Sequence, residues 1–116
     1  MDINERMVGK ILVMELKGRL DAVTSPQLRD RINTLVDGGQ HHMVIGFENL
    51  EYISSAGIRV LLAALAKIRP VNGKIVLASP GKLVEEVFRI AGLYSIFPIY
   101  VDEEKAVEDL NATWNE

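Results

Sequence analysis

Apolar residues in this chain fall into short runs that alternate with stretches where they recur every three or four positions. Ile11-Leu12-Val13-Met14-Glu15-Leu16 is a run of strand formers, and Ile3 to Val8 precedes it across Gly9, so the pair predicts a hairpin. Gly18-Arg19-Leu20-Asp21 breaks the run and reads as the start of a loop reaching Thr24. Ser25-Pro26 then reads as N-cap and first helical position. Leu28, Ile32, Leu35 and Val36 follow at helical spacing, and Gly38-Gly39 stops the helix. Met43 to Phe47 predicts a second buried strand, with a loop from Glu48 to Ser55 after it. Beyond Ser54-Ser55, one stripe carries Ile58, Leu61, Leu62, Leu65 and Ile68, closed by Pro70 and Gly73.

Lys74 to Ala78 is a third apolar strand. Ser79-Pro80 repeats the capping signature, Leu83, Val84, Val87, Phe88 and Ala91 form the next apolar face, and Gly92 ends it. Ile96 to Val101 holds a last short strand, which Pro98 assigns to a sheet edge. Asp102 caps a final helix with Glu103 and Glu104 in its first turn and Val107, Leu110 and Trp114 facing inward.

The order β-β-α-β-α-β-α-β-α predicts one α/β domain over residues 1–116. Its sheet is mixed but largely parallel, with an N-terminal hairpin and about four helices. Right-handed crossovers bring the strand ends, and the loops after them, to one rim. Ligands and partners of such sheets engage that rim, and the segments Gly18 to Thr24 and Glu48 to Ser55 both belong on it. A chain of 116 residues buries enough surface to need no covalent staple.

Charge and composition remove several functions. The net charge is −3, and the 13 Lys and Arg are scattered, which argues against nucleic acid as a partner. The absence of cysteine rules out disulfides and thiolate metal sites and fits a cytoplasmic protein. Met1 to Arg6 is polar, unlike a secretion signal, and the longest apolar run, Val60 to Ala66, is too short to insert in a membrane. No catalytic constellation is visible. A nucleophile elbow around Ser55 fails because Ile53 stands where its first glycine belongs. His41 and His42 precede a strand on the opposite rim and read as a solvated turn, neither a base for Ser55 nor a metal site. Around Gly81-Lys82 a phosphate loop fails, with Val76 at its first glycine and Leu83 at its Ser/Thr position. The chain is expected to be no enzyme, to hold no cofactor, and to need no state beyond a monomer.

The remaining chemistry lies in Ser54 and Ser55. With Ser54 as N-cap, Ile53 and Ile58 take the positions of a hydrophobic staple, and the Ser54 oxygen accepts from a free helix N–H. Ser55 then opens the helix with an uncommitted hydroxyl, where the dipole favours an added phosphate. Ala56 and Gly57 add little bulk beside it, so another protein could approach closely. A second reading stays open: both serines are only caps, worth about 1 kcal/mol.

Gly18-Arg19-Leu20-Asp21, the strand Met43 to Phe47, and Leu50-Glu51-Tyr52-Ile53-Ser54-Ser55-Ala56-Gly57-Ile58-Arg59-Val60-Leu61 together resemble the STAS domain family. The whole chain looks like its stand-alone bacterial anti-sigma factor antagonists. The resemblance implies the acceptor loop Asp-Ser-Ser/Thr-Gly, which, aligned on Gly57, puts phosphorylation at Ser55, with Ser54 in reserve. Here Ser54 occupies the usual Asp position and Ala56 follows the acceptor. The resemblance also implies that Asp21 lies near the switch serine and touches the partner; a turn residue is the plainer reading. Asn49, Ser54, Ser55, Ala56, Gly57 and Arg59 complete the implied partner surface. The implied partners are an anti-sigma factor with serine kinase activity, which brings ATP and Mg2+, and a PP2C-type phosphatase. A non-switching STAS interaction or scaffold module is the alternative.

Overall fold

The computed structural model describes residues 1–114, with side chains through residue 112. Strands β1 (Asp2–Val8) and β2 (Ile11–Leu20) form the predicted hairpin, antiparallel from Asp2↔Lys17 to Val8↔Ile11. Then follow α1 (Ser25–Asp37), β3 (His42–Ile53), α2 (Ser55–Ile68), β4 (Lys74–Ala78), α3 (Lys82–Ile90), β5 (Ile99–Tyr100) and α4 (Glu103–Trp114). The five strands stand side by side in chain order, and every pair after the hairpin is parallel. The expected mixed sheet with four helices is therefore what the chain forms.

Alternation along the central strands builds two cores. Leu12, Met14 and Leu16 of β2 join Met43, Ile45 and Phe47 of β3 under α1, α2 and α3. There the rings of Phe47 and Phe88 meet edge to face, centroids 5.0 Å apart. Ile11, Val13 and Val44 point to the other face, where Ala106 and Leu110 of α4 cover them. Asp102 caps α4 as expected, its Oδ1 accepting from Lys105 N–H at 2.7 Å. The inward placement of Trp114 falls outside the described side chains.

Several local expectations are corrected. β2 does not stop at Gly18 but runs to Leu20, and β3 runs to Ile53, so most of the supposed loop from Glu48 to Ser55 is strand. The two strands hold each other through a parallel ladder with register shifts at Glu15/Lys17 and Gly18/Arg19. Gly18, at φ +106, supplies the conformation that the shift requires. Thr24, not Ser25, occupies the N-cap of α1, which moves Pro26 one position into the helix. Gly81 takes the N-cap of α3 in place of Ser79-Pro80. Leu62 and Leu83 turn outward, and Ala91 lies exposed just past α3; Ala64 completes the buried stripe of α2. The last strand, by contrast, falls where expected, at Ile99–Tyr100 on the edge beside β4. His41 and His42 lie on the opposite rim, half-buried rather than solvated, and burial holds His42 below its usual range.

Candidate functional site

β3 outreaches its neighbour. It pairs with β4 only from His42 to Gly46, then continues seven residues on β2 alone to Ile53. This two-stranded arm carries the amino end of α2 beyond the rest of the rim. Ser54 N–H donates to Leu20 O at 2.9 Å, tying the α2 entrance to the end of β2. Leu20 and Ile53 are both buried there. A Cβ on Gly57 would lie 2.8 Å from Leu20 Cγ and 2.9 Å from Ile53 Cγ1, so glycine is what lets the helix seat on this pair. Gly57 is itself buried; it serves packing and offers nothing to an approaching molecule.

The two serines divide otherwise than the capping rule predicts. Ser54 holds the N-cap position with extended backbone, φ −98 and ψ 175, but its side chain makes no capping bond. Its Oγ is buried without a hydrogen-bond partner among the described residues. The serine expected to be engaged is therefore unsatisfied. Ser55 opens α2, is exposed, and its hydroxyl is uncommitted. The first-turn N–H groups of α2 consequently face the rim uncapped by any side chain.

Asp21 follows Leu20 and so stands next to this entrance. Its Oδ1 accepts from Val23 N–H at 3.0 Å and Thr24 N–H at 3.1 Å. The Thr24 hydroxyl donates to Arg19 O at 2.7 Å and accepts from Asp21 N–H at 2.9 Å. The bonds donated to the carboxyl itself, led by the Thr24 N–H, hold Asp21 below its ordinary range. Asp21 is thus the turn residue that folds the β2–α1 connection and keeps a carboxylate beside the α2 entrance. Arg19 lies 3.7 Å from Asp21 Oδ2 and stacks over the Tyr52 ring at 4.3 Å. Sequence reading did not single out that pair; the parallel register Arg19↔Tyr52 creates it.

Ala56 and Arg59 face α1 across a groove of about 360 Å³ between the helices. Asn49 is exposed on β3 opposite Lys17, about 13 Å of strand before Ile53 at roughly 3.3 Å per residue. The structure therefore gathers Asp21, Ser54, Ser55, Ala56 and Arg59 around one helix end and leaves Asn49 further back. No group of His, Cys, Asp and Glu among the described residues is arranged to hold a metal. No described helix is long and apolar enough to cross a membrane.

The STAS domain family matches residues 2–106. BtrV of Bordetella bronchiseptica, described as a candidate anti-sigma factor antagonist, is 36% identical over 99 residues, 85% of each chain. The anti-sigma factor antagonist SpoIIAA in its unphosphorylated form superposes with a TM-score of 0.74 at 25% identity, over 95% of this chain and 98% of that one. The Bacillus cell fate determinant SpoIIAA in its phosphorylated form gives 0.75 at 26% identity, over 94% and 99%. With family residues and fold agreeing along almost its whole length, this chain belongs to the STAS domain family.

Proposed function

We propose that this chain is an anti-sigma factor antagonist that works by partner switching. In its unmodified form it binds an anti-sigma factor with serine kinase activity and so frees a sigma factor. The kinase, bringing ATP and Mg2+, transfers the γ-phosphate to Ser55; a PP2C-type phosphatase removes it. The chain itself is substrate and ligand, not enzyme. The observation that carries this reading is Ser55: an exposed, uncommitted hydroxyl at the head of α2, in a STAS protein similar to SpoIIAA, which is known in phosphorylated and unphosphorylated forms.

The switch is electrostatic. A phosphate brings about −1.5 to −2 charges at pH 7. The uncapped end of α2 accommodates them, so the fold stays intact. A partner surface fitted to a neutral hydroxyl meets that charge as repulsion and loses affinity. The rival reading, a constitutive interaction module, draws support from Ser54, which stands at the usual Asp position and leaves its oxygen without a partner.

Two measurements separate them. Mass spectrometry of protein purified from its native cell is expected to find a phosphate on Ser55 within the peptide Leu50 to Arg59. Ser55→Asp is expected to weaken binding to the anti-sigma factor about tenfold or more with an unchanged thermal melt, while Ser55→Ala binds normally and takes up no label. Equal affinity of wild type and Ser55→Asp would sink the switch in favour of the constitutive module.

A further inference from the structure

Beside Ser55, the amino-terminal halves of α1 and α2 enclose a groove of about 360 Å³. Its lining is largely apolar, with Pro26, Ala56, Val60 and Ala63, and includes the two cations Arg29 and Arg59. Neither cation is committed elsewhere in the fold. The Arg59 guanidinium makes no hydrogen bond or ion pair among the described residues, and Arg29 reaches only its own neighbour, Asp30, at 3.1 Å, with both side chains more than half exposed. In contrast, Glu5 holds Arg31 on the far side of α1, and Asp37 holds Lys67 at 2.9 Å at the other end of the helix pair. In a chain of net charge −3, an apolar trough framed by Arg59 and by Arg29, which pairs only with its exposed neighbour, is a local cationic frame.

We propose that this groove docks an acidic segment of the anti-sigma partner, its apolar face on Ala56, Val60 and Ala63 and its carboxylates on Arg29 and Arg59. The proposal rests on the partner-switching reading and deepens it. The occupant's chemistry follows from the lining, because guanidinium forks pair with carboxylates in bidentate fashion, and the small residues Ala56 and Ala63 leave room for aliphatic side chains. Ser55 and Arg59 are four residues apart on α2, one turn, with the acidic position first when Ser55 is charged. Negative charge on Ser55 and the carboxylates of the partner then compete for the same guanidinium. Modification acts twice: it repels the partner and draws Arg59 off the groove.

The test uses the full chain and the purified anti-sigma factor of its source cell in titration calorimetry. Arg29→Glu and Arg59→Glu are each expected to lower affinity about tenfold or more and to flatten its salt dependence, while Arg59→Lys retains part of it. Both sites are exposed, and unchanged melting curves will show that the fold survives. A double-mutant cycle then isolates the competition. The loss caused by Ser55→Asp is expected to shrink at least threefold in an Arg59→Gln background, about 0.65 kcal/mol of coupling. Normal binding by both arginine reversals, with Ser55→Asp still disruptive, overturns the groove and leaves the switch standing. Arginine-dependent binding that ignores Ser55→Asp upholds the groove as a dock and overturns both the switch and the competition. A wild-type chain that does not bind the anti-sigma factor overturns both.

Discussion

At the residue scale, the α2 entrance depends on three small side chains with different tasks. Ser54 occupies a cap position without capping, so Ser54→Ala removes a buried, unsatisfied oxygen and no bond. Its unfolding free energy in urea is expected to fall by less than about 0.5 kcal/mol or to rise; a loss near 1 kcal/mol would show that the hydroxyl caps the helix in solution. Gly57 admits no substitution of this kind. Gly57→Ala drives a methyl into Leu20 and Ile53 at under 3.0 Å, and a cost of about 1–3 kcal/mol is expected. Ser55 touches neither problem, so charge added there is expected to leave the helix folded.

At the element scale, α4 adds one carboxyl to the apolar contacts that seat it on the sheet. Glu103 approaches Gly46 so closely that a Cβ there would overlap its Oε2, and its Oε1 pairs with Arg6 at 3.2 Å. Burial, followed by the hydrogen bond shared with Glu15, raises the Glu103 carboxyl above its ordinary 4.5, against the opposing pull of Arg6. A folded-state pKa raised above the unfolded one means that the native state holds the proton longer. The contribution of Glu103 is therefore full below about pH 4.5 and is lost as pH rises through the raised value. Glu103→Gln keeps the uncharged form at every pH. Its melting temperature relative to wild type is expected to climb between pH 4 and pH 7; a difference constant with pH would refute the coupling. Glu5 works in the opposite sense. Its bond to Arg31 lowers its pKa, so the stability it lends at neutral pH disappears as pH falls through that lowered value.

At the scale of the whole molecule, the sheet narrows beyond Gly46 to an arm of two strands. Met43 to Gly46 of β3 lie between β2 and β4, whereas Asn49 to Ile53 share backbone pairing with β2 alone, through a ladder with shifted register. Ser55, the proposed acceptor, stands just past the tip of that arm. Amide exchange is expected to be about tenfold faster or more at Glu48 to Glu51 than at Met43 to Gly46. Equal protection would mean that the arm is as firm as the rest of β3. Under the proposed switching, faster exchange in the arm would let the site adapt to successive partners without disturbing the sheet.

Periodicity by itself determined the order of elements, the mixed parallel sheet, the edge position of the last strand and the place of Ser55 at the head of α2. These are local consequences of apolar spacing, glycine and proline, and a strand or helix must bury its apolar side whatever surrounds it. Tertiary structure alone decided how far β2 and β3 run, because Gly18 and the polar stretch from Glu48 to Glu51 are held extended by each other's backbones, not by their own propensities. It also decided that Ser54 goes unsatisfied, that Gly57 is a packing residue, and that Arg29 and Arg59, thirty positions apart, line one groove. Contacts between residues distant in sequence leave no period to read; they exist only once the sheet has brought its helices together.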